Sequence, residues 1–423
     1  MEKMKETRNR VKIYSYKNPA LHSFYISLFV KAGVLYEEPS EYGITHFLEH
    51  VAIRSVNASM GGKLYSTLDR HGIEFNASTF SEMIQFYVGG ASANIRTGMD
   101  VISALLHPLS LTKADVDAER KRIKAEIRES DDKNTLASFT NKCVFEGTSL
   151  ASSIVGTNAT VDRINLTRLE TYRRRAFAPE NIFFYVTGSF TDSDLEYLSS
   201  LIERAELFSS AKRENLAPVP ESFGRRDASV FLKGSDYTML RFTFDVDMKE
   251  ISSPELDLIY DILLSGYNSR LFIELSEKRG LFYDVNGAVE RYLNIGTLNF
   301  SYELKEKDLE EAIRLTLRIL TDMKRPEVIE AECMKAGYVD NAEMLLDEPR
   351  ELNFTFAYDN HIMNMGYASV EERRRCYESI TAEALSRAAE RLFRPDSLTV
   401  TVKGNKKRIS TERIKSIIKE ELA

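Results

Sequence analysis

Along Ile73-Glu74-Phe75-Asn76-Ala77-Ser78, apolar and polar side chains alternate with the two-residue period of a half-buried strand. The stretch Gly72–Thr79 reads as that strand, with Met83-Ile84-Gln85-Phe86-Tyr87-Val88 as its hairpin partner. Ser23–Val30 and Asn181–Val186 add strands to a first sheet, and Ala91–Leu106, Lys113–Arg128 and Asp192–Arg204 carry a helical pattern. The second half repeats this plan. Strands are expected near Ser229–Leu232, Leu240–Val246, Asp284–Val289 and Gly296–Ser301, followed by helices at Asp308–Met323 and Pro326–Leu345. Hairpin-like strand pairs beside helices predict an α+β fold, with antiparallel-rich sheets covered by helices on one face.

The repeat is an internal duplication. Arg175-Ala176-Phe177-Ala178-Pro179 leading to Gly188 closes the first half, and Arg391-Leu392-Phe393-Arg394-Pro395 leading to Gly404 closes the second. Each reads as a helix end, a proline stop and a strand ending at glycine. The two prolines stand 216 positions apart. Lys63-Leu64-Tyr65 through Gly72-Ile73 is echoed by Arg270-Leu271-Phe272 through Gly280-Leu281. The polar stretch holding Pro218 and Pro220 is the natural linker. The expected organisation is therefore an α+β domain at 1–206, a linker at 207–227 and a similar α+β domain at 228–423.

The chemistry concentrates in His46-Phe47-Leu48-Glu49-His50. On a helix, His46 and His50 point the same way one turn apart, so both imidazoles can reach one Zn²⁺ at about 2.0–2.1 Å. Glu49 shares that face and can take a proton from a water held there. The order H-x-x-E-H marks the inverted zinc peptidases. Apolar Phe47, Leu48, Val51 and Ile53 surround the motif, giving a mostly buried helix on which metal-binding groups need a partner. A catalytic zinc usually has three protein ligands and an open position. The best source of the third is Asp117–Ile127, where Glu119 and Glu126 lie two turns apart on one helical face.

These residues resemble the pitrilysin/insulinase-type metallopeptidases, the family of mitochondrial processing peptidase and insulin-degrading enzyme, in its short-chain, processing-peptidase-like branch. Members carry H-x-x-E-H followed some seventy-odd residues later by E-R-x-x-x-x-x-E; here Glu119-Arg120 opens that segment and Glu126 lies 76 positions after His50. The resemblance implies that His46, His50 and Glu126 are the metal ligands, Glu49 the general base and Glu119 an acid beside the site. His71–Thr79 is similar to the family's G-x-x-N-A-x-T segment, an edge strand that pairs with substrate backbone, which implies substrate-binding roles for Asn76 and Ala77. It further implies two similar α+β domains per chain, with two chains forming a clamshell around a closed chamber. The activity implied is zinc-dependent endoproteolysis of unfolded peptides or of precursor and leader segments. The second half has no histidine counterpart around Leu256–Asp261, so one zinc per chain is expected.

One departure from the family pattern matters. Relatives carry an Arg and a Tyr seven residues apart in the second half, which bind the substrate carbonyl. Tyr283 fits the tyrosine, but Ser276 stands at the arginine position, and neither Arg270 nor Arg279 has the right offset. Losing an oxyanion donor can cost ~3 kcal/mol. The chain is therefore expected to be the zinc-bearing subunit of a heterodimer whose partner supplies the Arg and an intact Tyr, in preference to a homodimer. A non-catalytic peptide-binding or scaffold subunit is the alternative from another class.

Composition adds boundaries. A net charge of −7 with mixed signs gives nothing toward nucleic acid, and the runs Arg173–Arg175 and Arg373–Arg375 read as solvated helix faces. Cys143, Cys333 and Cys376 lack metal spacing and fit reduced thiols. The charged Met1–Arg8 has no apolar signal core, and no apolar run approaches the ~20 residues of a membrane span. A soluble, cytoplasmic protein is the expectation. Gly62-Lys63 is not part of a phosphate loop, and no G-x-S-x-G elbow occurs.

Overall fold

A computed structural model of the chain describes residues 1–133, 135–207, 229–329, 335, 337 and 341–422. Most of the expected 207–227 linker, the middle of the expected Pro326–Leu345 helix and Cys333 lie outside these residues.

Two compact units each carry one sheet. The first sheet has strands β1 (Lys3–Glu6), β2 (Lys12–Lys17), β3 (Ser23–Val30), β4 (Glu74–Thr79), β5 (Ile84–Ala91) and β6 (Ile182–Gly188), in the order β1-β2-β6-β3-β5-β4. The second has β7 (Ser229–Gly234), β8 (Thr238–Asp247), β9 (Asn286–Arg291), β10 (Ile295–Leu304) and β11 (Leu398–Gly404), in the order β7-β11-β8-β10-β9. Apart from β1, the two topologies coincide. β2 runs parallel to β6 as β7 does to β11, and all other neighbours are antiparallel in both sheets. The duplication seen in the sequence is thus a duplication of fold, α+β in both units.

In the first unit, α1 (Ile44–Ser59), α2 (Leu64–His71), α3 (Ile95–Ser103) and α4 (Lys113–Lys133) share one core with the alternate strand residues Phe24, Ile26, Leu28 and Val30, and so lie on one face of the sheet. Phe47, Leu48 and Val51 of α1 and Met99 and Ile102 of α3 are buried with Ile26, Leu28, Phe86, Val88 and Phe184 of the strands. In the second unit the same layer is built from Phe242, Phe244 and Phe300 against Leu256, Ile259 and Leu317.

Two segments cross between the sequence halves. Residues 343–370 belong to the first unit, and 134–146 to the second. The reason lies in the strands. β6 is buried at every position, so its sheet has two faces to cover rather than the one expected from the sequence. The helix Pro349–Ala357 covers the second face, where Asn353 Nδ2 donates to the Tyr185 carbonyl at 2.9 Å and the Thr187 hydroxyl donates to the Pro349 carbonyl at 2.6 Å. On the other sheet, α5 (Leu136–Val144) buries Leu136, Thr140 and Val144, one stripe at four-residue spacing, and the hydroxyls of Thr140 and Thr401 meet at 2.5 Å.

Other differences are local. The expected Ala91–Leu106 helix is α-helical only over Ile95–Ser103, with 3₁₀ turns at each end. Pro326–Val328 and Glu343–Leu346 are 3₁₀ turns at the ends of what read as one long helix. Arg173 is not on a solvated face: it is buried, donates to the Leu106 carbonyl and pairs with Glu170 at 3.0 Å. Among the described residues, no helix is long and apolar enough to cross a membrane.

Candidate metal centre

The helix α1 starts at a fixed point. Gly43 sits at φ 94°, and a Cβ there would stand 2.8 Å from the Val155 carbonyl oxygen, so only glycine fits. The buried Glu37 carboxylate receives the backbone N–H groups of Gly43 and Thr45 at 2.9 and 2.8 Å, an anion at the positive end of the helix. Burial pushes the Glu37 carboxyl up, with the Thr45 hydrogen bonds opposing. Thr45 Oγ1 also meets Tyr172 Oη at 2.7 Å. Position and rotation of α1 are thereby set just ahead of His46.

His46, His50 and Glu126 come together, with one donor atom of each within 4.8 Å of the others. His46 Nε2 is 3.5 Å from Glu126 Oε1, and His50 Nε2 is 3.7 Å from Glu126 Oε2. Ligands at 2.0–2.1 Å on a tetrahedral ion stand about 3.3–3.4 Å apart, so both imidazole–carboxylate separations lie within tenths of an ångström of what a zinc ion needs. It is a His₂Glu set, the composition found in catalytic rather than structural zinc sites. Among the described residues, no lysine or arginine pairs with Glu126; the groups that meet its carboxylate are the two imidazoles.

Glu119 stands behind this group. Only 2% exposed, it lies 3.4 Å from His50 Nδ1, so it can hold that nitrogen as the donor and leave Nε2 for a metal. Its charge is balanced by Arg54 at 2.9 Å and Arg122 at 3.3 Å; Arg54 also reaches Asp115 at 3.0 Å. Arg54 escaped the sequence reading, although its place four residues after His50 on α1 puts it on the motif's own face. Arg120 turns away, donating to the carbonyls of Val161 and Ile164 and lying over the Phe47 ring, where it locks α4 in place.

Glu49 is oriented from another direction. The Thr79 hydroxyl at the end of β4 donates to Glu49 Oε2 at 2.5 Å. Burial pushes the Glu49 carboxyl up; the Thr79 bond and His50 pull it back, and Glu126 adds to the rise. A carboxylate raised in this way is better matched to general-base work near neutral pH. Thr79 is the contact the sequence did not reveal as such.

The two expected substrate residues of the first half lie on β4, which is an edge of its sheet. Ala77 N–H is held by the Asn76 side chain at 2.9 Å rather than by a neighbouring strand. Tyr283 belongs to the other unit, 94% exposed beyond the π-helical turn Phe272–Glu277. Ser276 Oγ donates to the Phe282 carbonyl at 2.8 Å, Arg270 donates to the Val328 carbonyl at 3.2 Å, and Arg279 pairs with Glu274 at 3.0 Å. The helix Ser253–Leu264, counterpart of α1, has no histidine.

The His46 ring carries a pH signature. Burial, helped by His50, pushes its pKa down to about 3 from the ordinary 6.5. The unfolded chain takes up that proton near pH 6.5 while the folded chain refuses it, so the buried ring costs no stability above 6.5 and an increasing amount as pH falls toward 3. Metal-free protein should therefore lose thermal stability over that window, and His46→Gln should flatten the profile there. A pH dependence unchanged in the variant would show that other groups govern it.

Comparison with known proteins extends the picture. The Insulinase (Peptidase family M16) family matches residues 12–158, and the Peptidase M16 inactive domain matches 163–336. An uncharacterized zinc protease of Rickettsia bellii is 24% identical over 416 residues, spanning 94% of this chain and 96% of its own. A protease from Helicobacter pylori shares the fold with a TM-score of 0.83 at 16% identity, over 96% of this chain and 99% of that one. The periplasmic protease PqqL of Escherichia coli also matches, with a TM-score of 0.78 at 17% identity, over all of this chain and 50% of PqqL.

Proposed function

The chain belongs to the insulinase family of peptidases, family M16, and from that membership we propose that it is a zinc-dependent endopeptidase acting on unfolded peptides or precursor segments inside a closed chamber. The observation that carries this reading is the convergence of His46, His50 and Glu126 beside the Glu49 carboxylate. A zinc ion held by those three residues would polarise the peptide carbonyl and lower the pKa of the attacking water toward about 7. Glu49 accepts the proton of that water and passes it to the departing amine. With Oε2 engaged by Thr79, Oε1 is the oxygen that takes the proton. The open edge of β4 supports pairing of an extended substrate by strand addition, with the backbone of Ala77 as the pairing group and the Asn76 side chain beside it at the edge. Glu119 keeps His50 in the tautomer a metal needs. One zinc per chain fits a second-half counterpart helix without histidine.

The partner in this reading is a homologous chain that supplies the arginine absent at Ser276, with a homodimer as the competing form. What supports it is that Arg270 and Arg279 are both committed to local acceptors. A cytoplasmic setting stays part of the proposal, resting on the thiol pattern; the periplasmic PqqL shows that the fold also serves elsewhere. The test is cleavage of a quenched, unstructured peptide by the zinc-loaded chain alone, by Ser276→Arg, and by the chain mixed with an arginine-bearing homologue. The expected result is little turnover alone and chelator-sensitive turnover in the other two. Turnover at ~1–10³ s⁻¹ by the chain alone would remove the partner while keeping the peptidase. Silence in all three would favour a scaffold or peptide-binding subunit.

A further inference from the structure

Thr79 stands where the open sheet edge meets the acid. Across the β4–β5 turn, Phe80 N–H donates to the Met83 carbonyl at 2.8 Å, which makes Ser78–Gln85, Asn76–Tyr87 and Glu74–Gly89 the hydrogen-bonded pairs of the ladder. The alternate residues Phe75, Ala77 and Thr79 therefore turn their backbone N–H and C=O groups outward. The Asn76 side chain on Ala77 N–H agrees with that phase. The side chains of the same three residues lie on the helix face: Phe75 and Ala77 pack on the core, and the Thr79 hydroxyl donates to Glu49 Oε2 at 2.5 Å. One residue thus offers its backbone to an incoming strand and its side chain to the carboxylate.

The turn behind it is braced. Leu35 N–H donates to the Ser81 carbonyl at 3.0 Å, Tyr358 Oη donates to Glu82 Oε1 at 2.8 Å, and the Phe80 and Phe354 rings stand 5.7 Å apart. The last two contacts come from the crossing segment 343–370. A glutamate has three rotatable bonds, and among the described residues the Thr79 hydroxyl makes the one hydrogen bond that fixes the half-buried Glu49 carboxylate.

We propose that Thr79 is a positioning residue that registers the Glu49 carboxylate against the edge on which a peptide pairs, so that strand pairing and proton acceptance share one fixed point. The inference rests on the peptidase reading and adds a residue to it. A peptide bonded to the Thr79 backbone would hold the hydroxyl, and through it Oε2, leaving Oε1 as the acceptor.

The test compares Thr79→Val, nearly the same shape without the hydroxyl, with Thr79→Ser, which restores it. In whichever form of the protein cleaves peptide, the valine variant should lose kcat by about 10–100-fold, the scale of a ~1 Å misplacement. KM and zinc content should stay put, and serine should recover kcat to within about threefold. Crystal structures of both zinc-loaded variants give an independent readout: the Glu49 carboxylate should be displaced or spread over rotamers in valine and in place in serine. A valine variant with undisturbed kcat, a loss that falls in KM or zinc content, or an unmoved carboxylate overturns the inference. If no form of the wild-type protein cleaves peptide, the peptidase reading fails, and the carboxylate position in the valine variant alone still decides the role of Thr79.

Discussion

Glu49→Gln should bind zinc as the unchanged protein does and yet lose about 10²–10⁴-fold in turnover, the share that a positioned proton acceptor contributes. The substitution keeps size and shape, and the Thr79 hydroxyl can still donate to the carboxamide oxygen, so the local fold has no reason to change. What disappears is basicity. Glu49 also contributes no atom to the His46, His50 and Glu126 group, so metal content should be untouched. Measuring kcat on a quenched peptide together with zinc per chain separates the two roles. A variant that keeps most of its turnover would sink the assignment of Glu49 as base, and one that loses its zinc would show the carboxylate to be a ligand.

How much of this was legible beforehand follows from which interactions are local in sequence. His46, Glu49 and His50 sit within one helical turn, so their shared face follows from helix geometry alone. Glu119 and Glu126 could be placed on one face of α4 in the same way, but which of them meets the imidazoles depends on how α4 packs on α1. The structure separates them: Glu126 meets the Nε2 atoms and Glu119 the Nδ1 atom of His50. The Thr79–Glu49 bond joins residues thirty positions apart on a strand and a helix, and no periodicity announces such a contact. The duplication was readable because both halves end in the same proline–strand–glycine signal. The crossing helices were not, since a strand buried on both faces does not say which part of the chain provides its second cover.

Because the two acids meet different atoms of the imidazoles, their variants should separate in zinc affinity. Complete four-ligand zinc sites are worth about 10–16 kcal/mol of binding, so one ligand is worth roughly 3–4 kcal/mol, or two to three decades in Kd. Glu126→Ala removes a donor from the group itself and should weaken zinc by that much. Glu119→Gln leaves all three donors in place and changes only what His50 Nδ1 and Arg54 lean on, which should cost about 10–100-fold. Competition against a chelator of known affinity ranks the two variants directly. The order matters more than either value. If Glu119→Gln loses zinc while Glu126→Ala keeps it, the carboxylates have exchanged roles and α4 must sit rotated on α1 in the loaded protein. If both bind like the unchanged chain, the metal is held by other groups, and the convergence of His46, His50 and Glu126 is an incidental feature of a buried helix pair.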